Sequence, residues 1–450
     1  MNICFIANYH KTQFFFEISK YLSEKYDINI YWIVVNKSNK NFLEKYTNNI
    51  LYLSKSVILD TKNTAIDDFK LNEIVYGDRI LKFSTNKGVD FLTKIQKPVY
   101  DFIKDNRIQY IFGELTWAHE LLIFRMTKYC QELNCKFLNP HTIRIPGGRF
   151  AFFVDEFQSK MYEFDLNYEK MQYPVDAFIP KKPDYLQLND QILKKKNSWQ
   201  GRIKRIKKFI TSENLDSDDI TLPEKWKFNR FFIPFIEELN KETYKFIPKI
   251  NLDTIKNKKF ILLTLHKQPE ASVDVLGRYM EDQFTNIIVI WKQLPQDWLL
   301  VIKEHTNAVG DRSWKFYNKL RKYKNLIFID EKTDSYELLE YCQAVVTISG
   351  TIAYEAALLQ KKSLILCDVF FDFSYVKKIS LDDFKFSKNI LSIMDTIPNN
   401  EDDERKKKYI FANSFEGIIS DPVSNPKCIE SINIDNVSKA FYKIILGKTI

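Results

Sequence analysis

Residues 344–368, AVVTISGTIAYEAALLQKKSLILCD, decide the fold. The stretch opens on a short apolar run, 344–349, rich in the β-branched residues that suit a strand. The run stops at Ser349, Gly350 and Thr351, and TIAYEAALLQ (351–360) follows with helical spacing. SLILCD (363–368) is a second short apolar run. A strand, a glycine turn, a helix and a further strand form one unit of a doubly wound α/β sheet.

The same alternation continues towards the N-terminus. FILLTLH (260–266), WLLVIKEH (298–305) and NLIFID (325–330) read as strands. Residues 287–293, 313–323 and 335–343 read as the intervening helices. Strict alternation of short buried strands and helices predicts a parallel sheet covered on both faces. A second α/β pattern starts at the first residues. NICFIA (2–7), INIYWIVV (28–35) and IQYIFG (108–113) read as strands, 14–26 and 118–133 as helices, and 136–138 as a strand leading into the loop NPHTIRIPGGRF.

At 450 residues the chain exceeds one ordinary core. The predicted units are an N-terminal Rossmann-like domain (1–165), a mostly helical connector (166–255), a C-terminal Rossmann-like domain (256–395) and a helical tail (396–450). Strand signals fade in the connector, which Pro174, Pro180, Pro183 and Pro223 break. Its segment LKKKNSWQGRIKRIKKFI (193–210) sets Trp199, Ile203, Ile206 and Ile210 on one helical face among Lys and Arg. That pattern suits peripheral contact with an anionic inner-membrane surface, and it equally suits an ordinary surface helix.

With 45% apolar residues, 36 Phe and 24 Tyr, the chain is globular and not disordered. A net charge of +9 is modest at this length, and no nucleic-acid-binding signature accompanies it. Six cysteines without a CxxC pair read as reduced core thiols. The opening MNICFIANYHKT has neither the basic nor the long apolar region of a signal peptide, and no apolar run reaches membrane-spanning length. The expectation is a cytoplasmic protein. Neither HExxH nor CxxC spacing occurs, so no metal site is expected.

The chemistry-bearing residues cluster where strands end. Gly350 lets a ligand approach the backbone, while Ser349, Thr351 and the N–H groups of the following helix suit a phosphate. Ser and Thr at a helix start are also ordinary N-caps. Glu355, one turn on, is a candidate acceptor for ribose hydroxyls. His266 ends one strand, with Gln268 and Glu270 in the loop after it. Lys303 and His305 end another, suited to neutralising a phosphate. In the N-terminal half, Glu114 of GELTWAHE (113–120) directly follows a strand and suits a catalytic carboxylate, with His141 nearby. Arg144 and Arg149 suit an acidic sugar's carboxylate, and His119 joins them as a candidate acceptor-binding residue. All five histidines, His10, His119, His141, His266 and His305, are read as lying in loops or at helix starts that follow strands.

GELTWAHE, PHTIRIPGGRFAFF, LHKQPEAS, VIKEH and TISGTIAYEA, in this order, resemble the bacterial capsular and surface polysaccharide biosynthesis proteins. That group includes and is related to transferases that use CMP-linked 3-deoxy-ulosonic acids such as Kdo. The resemblance covers roughly residues 110–160 and 260–375. It implies a GT-B-like fold, two Rossmann-type domains facing a cleft, with donor bound by the C-terminal domain and acceptor by the N-terminal one. The family's Gln-Pro-Glu element matches Gln268, Pro269 and Glu270. Its Lys-Glu-His-Pro element matches Lys303, Glu304 and His305, with Thr306 in place of the proline. Ser349, Gly350 and Thr351 match its helix start. Where related Kdo transferases carry a nucleophilic aspartate, this chain reads Asn139-Pro140-His141. The implied activity is metal- and cofactor-independent transfer of Kdo or a nonulosonate from a CMP-sugar to a polysaccharide or glycolipid. Alternatives are UDP- or GDP-sugar donors, CDP-glycerol, a sugar-nucleotide epimerase, or an inactive scaffold of a polysaccharide-assembly complex.

Overall fold

The computed structural model describes residues 1–55, 58, 65–181, 198–201, 203, 204, 207, 219, 220, 228–395 and 397–447, with backbone alone at 228–234. Most of the basic segment 193–210 and both Pro183 and Pro223 lie outside these residues. Of its apolar stripe only Trp199 and Ile203 are described, and both are exposed.

The first sheet is built from β1 (Asn2–Ile6), β2 (Asn29–Val34), β3 (Ile50–Tyr52), β4 (Tyr110–Phe112), β5 (Lys136–Ile143) and β6 (Arg149–Phe153). β1 is central, parallel to β2 on one side and β4 on the other. The second sheet contains β7 (Phe260–Thr264), β8 (Leu299–Lys303), β9 (Leu326–Ile329), β10 (Ala344–Thr347), β11 (Lys362–Ile365) and β12 (Val376–Lys378). It is parallel throughout, in the order β12-β11-β10-β7-β8-β9. Apart from the edge strand β12, its strands are largely buried, which is why they read as continuous apolar runs. In both sheets the chain reverses its direction of winding beside the first strand, between β1 and β4 and between β7 and β10. These are the topological switch points, where loops part at the strand ends and leave a crevice.

The first sheet departs from a purely parallel one. The loop expected after residue 138 is instead the second half of β5, which turns back as an antiparallel hairpin with β6. Pro140 is tolerated because β4 pairs with β5 only as far as Leu138, so no second neighbour needs the missing N–H. Gly148, at φ +74°, closes the hairpin. His141 therefore stands within a strand and not in a loop.

The chain then returns to the first sheet. β13 (Phe415–Glu416) pairs with β6. The helix Ser431–Leu446 buries Val437, Phe441 and Ile444 against the β1–β4 face, with the Phe441 and Phe112 rings 4.6 Å apart. Its apolar residues recur at helical spacing, which is what makes one face stick.

Among the described residues an apolar core and a charged cluster help fix the domains to each other. Ile143, Ile145, Ala151 and Phe153 of the hairpin share one apolar core with Ala353, Tyr354, Phe371 and Phe373 of the second domain. Tyr354 stacks on Phe371 at 4.8 Å and donates to the Ile145 carbonyl at 2.8 Å. Further round, Arg278 of the second domain binds Glu73 at 2.7 Å and Glu156 at 2.9 Å, and Arg125 binds the same two carboxylates. Two guanidiniums and two carboxylates balance one another, which is what allows charges to be buried there. All six cysteines are buried and unpaired. Among the described residues no helix is long and apolar enough to cross a membrane.

Candidate functional site

The second sheet's switch point is closed by a histidine. His266 follows β7, and its Nε2 accepts from the Ile348 N–H at 3.2 Å and the Thr347 hydroxyl at 2.7 Å, just past β10. Nδ1 therefore carries the ring proton. Burial, with the His305 and Arg312 charges, lowers its pKa to about 3, so the ring is neutral. Gln283 clamps the His266 backbone on both sides, at 2.8 and 3.2 Å. A Cβ on Gly350 would lie 2.6 Å from Thr347 Oγ1 and 3.3 Å from His266 Cε1, so this approach requires glycine. Ser349 donates to the Ser272 carbonyl at 2.8 Å, and Thr351 is exposed at the start of the helix Ile352–Leu358.

Beside it, Lys303 ends β8, buried, with Nζ donating to the Glu331 carbonyl at 3.0 Å. Burial lowers its pKa, against the pull of Asp334 and Glu331. Glu304 is tied away from the cleft by Arg312 at 2.7 Å, the Tyr317 hydroxyl at 2.7 Å and the His305 N–H at 2.8 Å. His305 is exposed, and its Nδ1 accepts from the Asn307 N–H at 3.1 Å. That leaves Nε2–H as a donor for a ligand. Desolvation lowers the His305 pKa, and the nearby Glu270 opposes this. Glu270 accepts from Ser272 at 3.0 Å, and Gln268 braces the same loop through Asp274 at 3.1 Å and Gln283 at 3.0 Å.

The first sheet's switch point carries the opposite chemistry. Glu114, just after β4, is held by Lys11 Nζ and by Asn8 Nδ2 at 3.0 Å, both from the loop after β1. His141 is exposed. Its Nδ1 donates to the Thr142 carbonyl at 2.9 Å, leaving Nε2 as the bare nitrogen. Surrounding protein and the Lys11 charge lower its pKa, and Glu114 pulls the other way. Glu120, fully buried one turn into the next helix, takes N–H donors from Thr116 and Trp117, each at 3.0 Å, and from Asn8 at 3.1 Å.

His266, Gln268, Glu270, Lys303, His305, Ser349, Gly350 and Thr351 thus line one sheet edge, and Glu114 and His141 lie together at the other. Four candidates have different surroundings from those expected. His119 is 1% exposed, with no partner for either ring nitrogen, and burial lowers its pKa to about 3. It is a core residue because its helix buries that face. Arg149 spends its donors on the Ser414 hydroxyl at 2.9 Å and the Phe411 carbonyl at 3.1 Å and lies 4.2 Å over the Phe411 ring, fastening the returning chain. Arg144 and Glu355 bind each other at 2.7 Å across the domains, since a carboxylate buried this deeply needs a counter-charge. Asp155 caps the turn at Ser159, while the adjacent Glu156 sits in the buried quartet.

Asn8, Lys11, Glu120 and Arg312 were not among the expected site residues. Asn8 and Lys11 belong to the polar loop after β1, the counterpart of loops that were flagged. Arg312, which binds Glu304 and the His266 carbonyl, left no sequence signal, because its role depends on two loops meeting in space.

No family model matches the chain, and no curated protein does either. Among solved structures the chain has a distant likeness to Thermosulfurimonas dismutans KpsC, a beta Kdo 2,4 transferase, at 12% identity over 74% of this chain and 87% of that one, with a TM-score of 0.37. A second, the beta Kdo 2,7 transferase of the same organism, is 12% identical over 78% and 90%, with a TM-score of 0.35. S. aureus MnaA with UDP is 14% identical over 100% and 98%, with a TM-score of 0.28. The fold assignment rests on the two sheets themselves: the chain is an α/β protein of two Rossmann-type domains in the GT-B-like arrangement.

Proposed function

We propose that the protein is a glycosyltransferase that moves an acidic sugar, Kdo or a nonulosonate, from a CMP-sugar to a surface polysaccharide or glycolipid. The observation that carries this reading is the pair of switch points with opposite chemistry. One presents neutral donors and cations to an anion, and the other presents a carboxylate to a hydroxyl.

In this reading the donor phosphate takes the His305 Nε2–H, the Lys303 charge and the backbone at Gly350 and Thr351. Glu114 accepts the proton of the acceptor hydroxyl, with the exposed His141 beside it, as that hydroxyl attacks the anomeric carbon. The bond from that carbon to the phosphate oxygen breaks, and the donors on the second sheet stabilise the charge left on CMP. Arg144, held by Glu355 at the domain boundary, is the cation that meets the sugar carboxylate, while the pair stays intact. The protein's own cations neutralise the phosphate, so activity persists in EDTA.

A thermal-shift titration with CMP, CDP, UMP, UDP and GDP tests the reading. Stabilisation by CMP alone, absent in His305→Ala, supports it. Preference for UDP, GDP or CDP keeps a nucleotide-dependent enzyme and replaces the donor. No shift with any nucleotide favours a non-catalytic scaffold.

A further inference from the structure

Glu120 has no place in the chemistry above, yet it is fully buried three residues into the helix Ala118–Tyr129 and every contact it makes leads towards Glu114. Its Oε2 takes the backbone N–H groups of Thr116 and Trp117, each at 3.0 Å, and the Thr116 hydroxyl at 3.1 Å. These residues form the short loop that joins Glu114 to the helix. Its Oε1 takes the Asn8 amide at 3.1 Å, and the same amide nitrogen reaches Glu114 Oε2 at 3.0 Å. An amide nitrogen has two hydrogens, so Asn8 can serve both carboxylates at once. Glu114 Oε1 is bound by Lys11. Each oxygen of Glu114 thus has one fixed donor and keeps a lone pair for a substrate hydroxyl.

We propose that Glu120 is the positioning residue for Glu114: its carboxyl holds the Asn8 amide and the Thr116–Trp117 backbone, and these hold the Glu114 carboxylate. The inference rests on Glu114 being the proton acceptor of the proposed reaction. The Asn8 amide also reaches the Thr116 hydroxyl at 3.2 Å, which Glu120 itself binds, so without Glu120 the amide and the Thr116–Trp117 loop lose the carboxyl that ties them together beside Glu114.

The charged groups around Glu120 add a second property. Glu114 and Lys11 face it from the loops after β4 and β1, and His141 stands close to both on β5. Asp78 binds the Ala118 N–H of its own helix at 3.0 Å. Burial first, and then the charge of Glu114, push the Glu120 pKa up to about 8, against the donors from Thr116, Trp117 and Asn8. The folded state therefore holds a proton that the unfolded chain releases near pH 4.5. Glu120 costs stability as pH rises from about 4.5 to about 8, and the cost is level above that.

The test compares wild type, Asn8→Ala, Glu120→Ala and the double variant, each labelled with 13C-glutamate, by the NMR resonance position of the Glu114 carboxyl carbon at about pH 7. We expect both single variants to displace that resonance and the double variant to displace it no further than the larger single one. A wild-type Glu114 resonance in Glu120→Ala overturns the proposal, as does a double variant whose displacement is the sum of the two. Should Glu120→Ala fail to fold, Asn8→Ala alone decides: the Glu114 resonance must move and the Glu120 midpoint must rise. In parallel, the urea midpoint of wild type should fall relative to that of Glu120→Gln between pH 5 and 8, whereas parallel curves count against the proposal. CMP release from CMP-N-acetylneuraminate should drop about tenfold in Glu120→Ala with KM unchanged. Wild type that releases no CMP overturns the proposed donor, and the Glu114 resonance still decides the role of Glu120.

Discussion

The two switch points share a topology and differ in sign. At the first, Glu114 and Glu120 share one amide; Lys11 balances the charge of Glu114, and Glu120 holds its proton up to about pH 8. At the second, the carboxylate of Glu304 is turned inward and satisfied by Arg312 and Tyr317, so that His305, Lys303 and the Gly350 backbone stand at the edge with Glu270 as the carboxylate beside His305. The histidines mirror this difference. His141 keeps a bare Nε2 towards solvent, whereas His305 keeps its Nε2–H. A doubly wound sheet supplies a crevice, and the residues that the loops bring to it decide whether that crevice takes protons or gives hydrogen bonds to an anion.

Four substitutions break or sharpen this contrast, in descending order of expected effect. Glu114→Gln removes the proton acceptor and should lower sugar transfer by about 10²–10⁴-fold while leaving the nucleotide-induced thermal shift intact. Transfer and thermal shift lost together would merge the two sites into one. His305→Ala should lose the stabilisation of about 2.7 kcal/mol that CMP supplies at 100 times its Kd, and transfer should fall with it. Gly350→Ala forces a methyl against Thr347 and His266 and should cost about 1–3 kcal/mol by urea unfolding, with nucleotide affinity falling alongside.

His119→Leu touches neither edge and should have the smallest effect, raising stability at neutral pH by about 1 kcal/mol by removing two unpaired ring nitrogens. His119 and His266 both have pKa values lowered to about 3, so the unfolded chain binds protons that the folded one does not between pH 6.5 and 3. Stability is lost as pH falls through that window, and His119→Leu should flatten the loss while leaving CMP binding unchanged.

The second domain was readable almost strand by strand because its strands are short apolar runs bounded by polar residues. The first was readable only at its beginning and end. Helix Thr85–Asp105 contains Gly88 and Pro98, which argue locally against a helix, and tertiary packing of Phe91, Ile95, Val99 and Ile103 overrides them. The hairpin of β5 and β6 was hidden by Pro140, Pro146 and the paired glycines, which read as a loop. Site residues at strand ends were legible because the topology places them. Their partners were not, because Asn8 meets Glu114, and Arg312 meets His266, only when separate loops converge. Burial decided the rest: His119 and Glu120 are neighbours in one motif and equally deep, and only Glu120 found donors.

The return of the chain to the first sheet has a mechanical corollary. The polypeptide passes between the two domains twice, once through the connector and once through the helix Asn400–Ala412 on the way to β13. A protease nick at one position in the connector therefore gives two separate chains, but the C-terminal one still contributes β13 and the helix Ser431–Leu446 to the first sheet, with the shared Tyr354–Phe371 core and the Arg278 quartet still engaged. The nicked protein should run as two fragments on a denaturing gel and as a single particle in gel filtration, so that the connector can be cut, lengthened or replaced while the two edges keep their spacing.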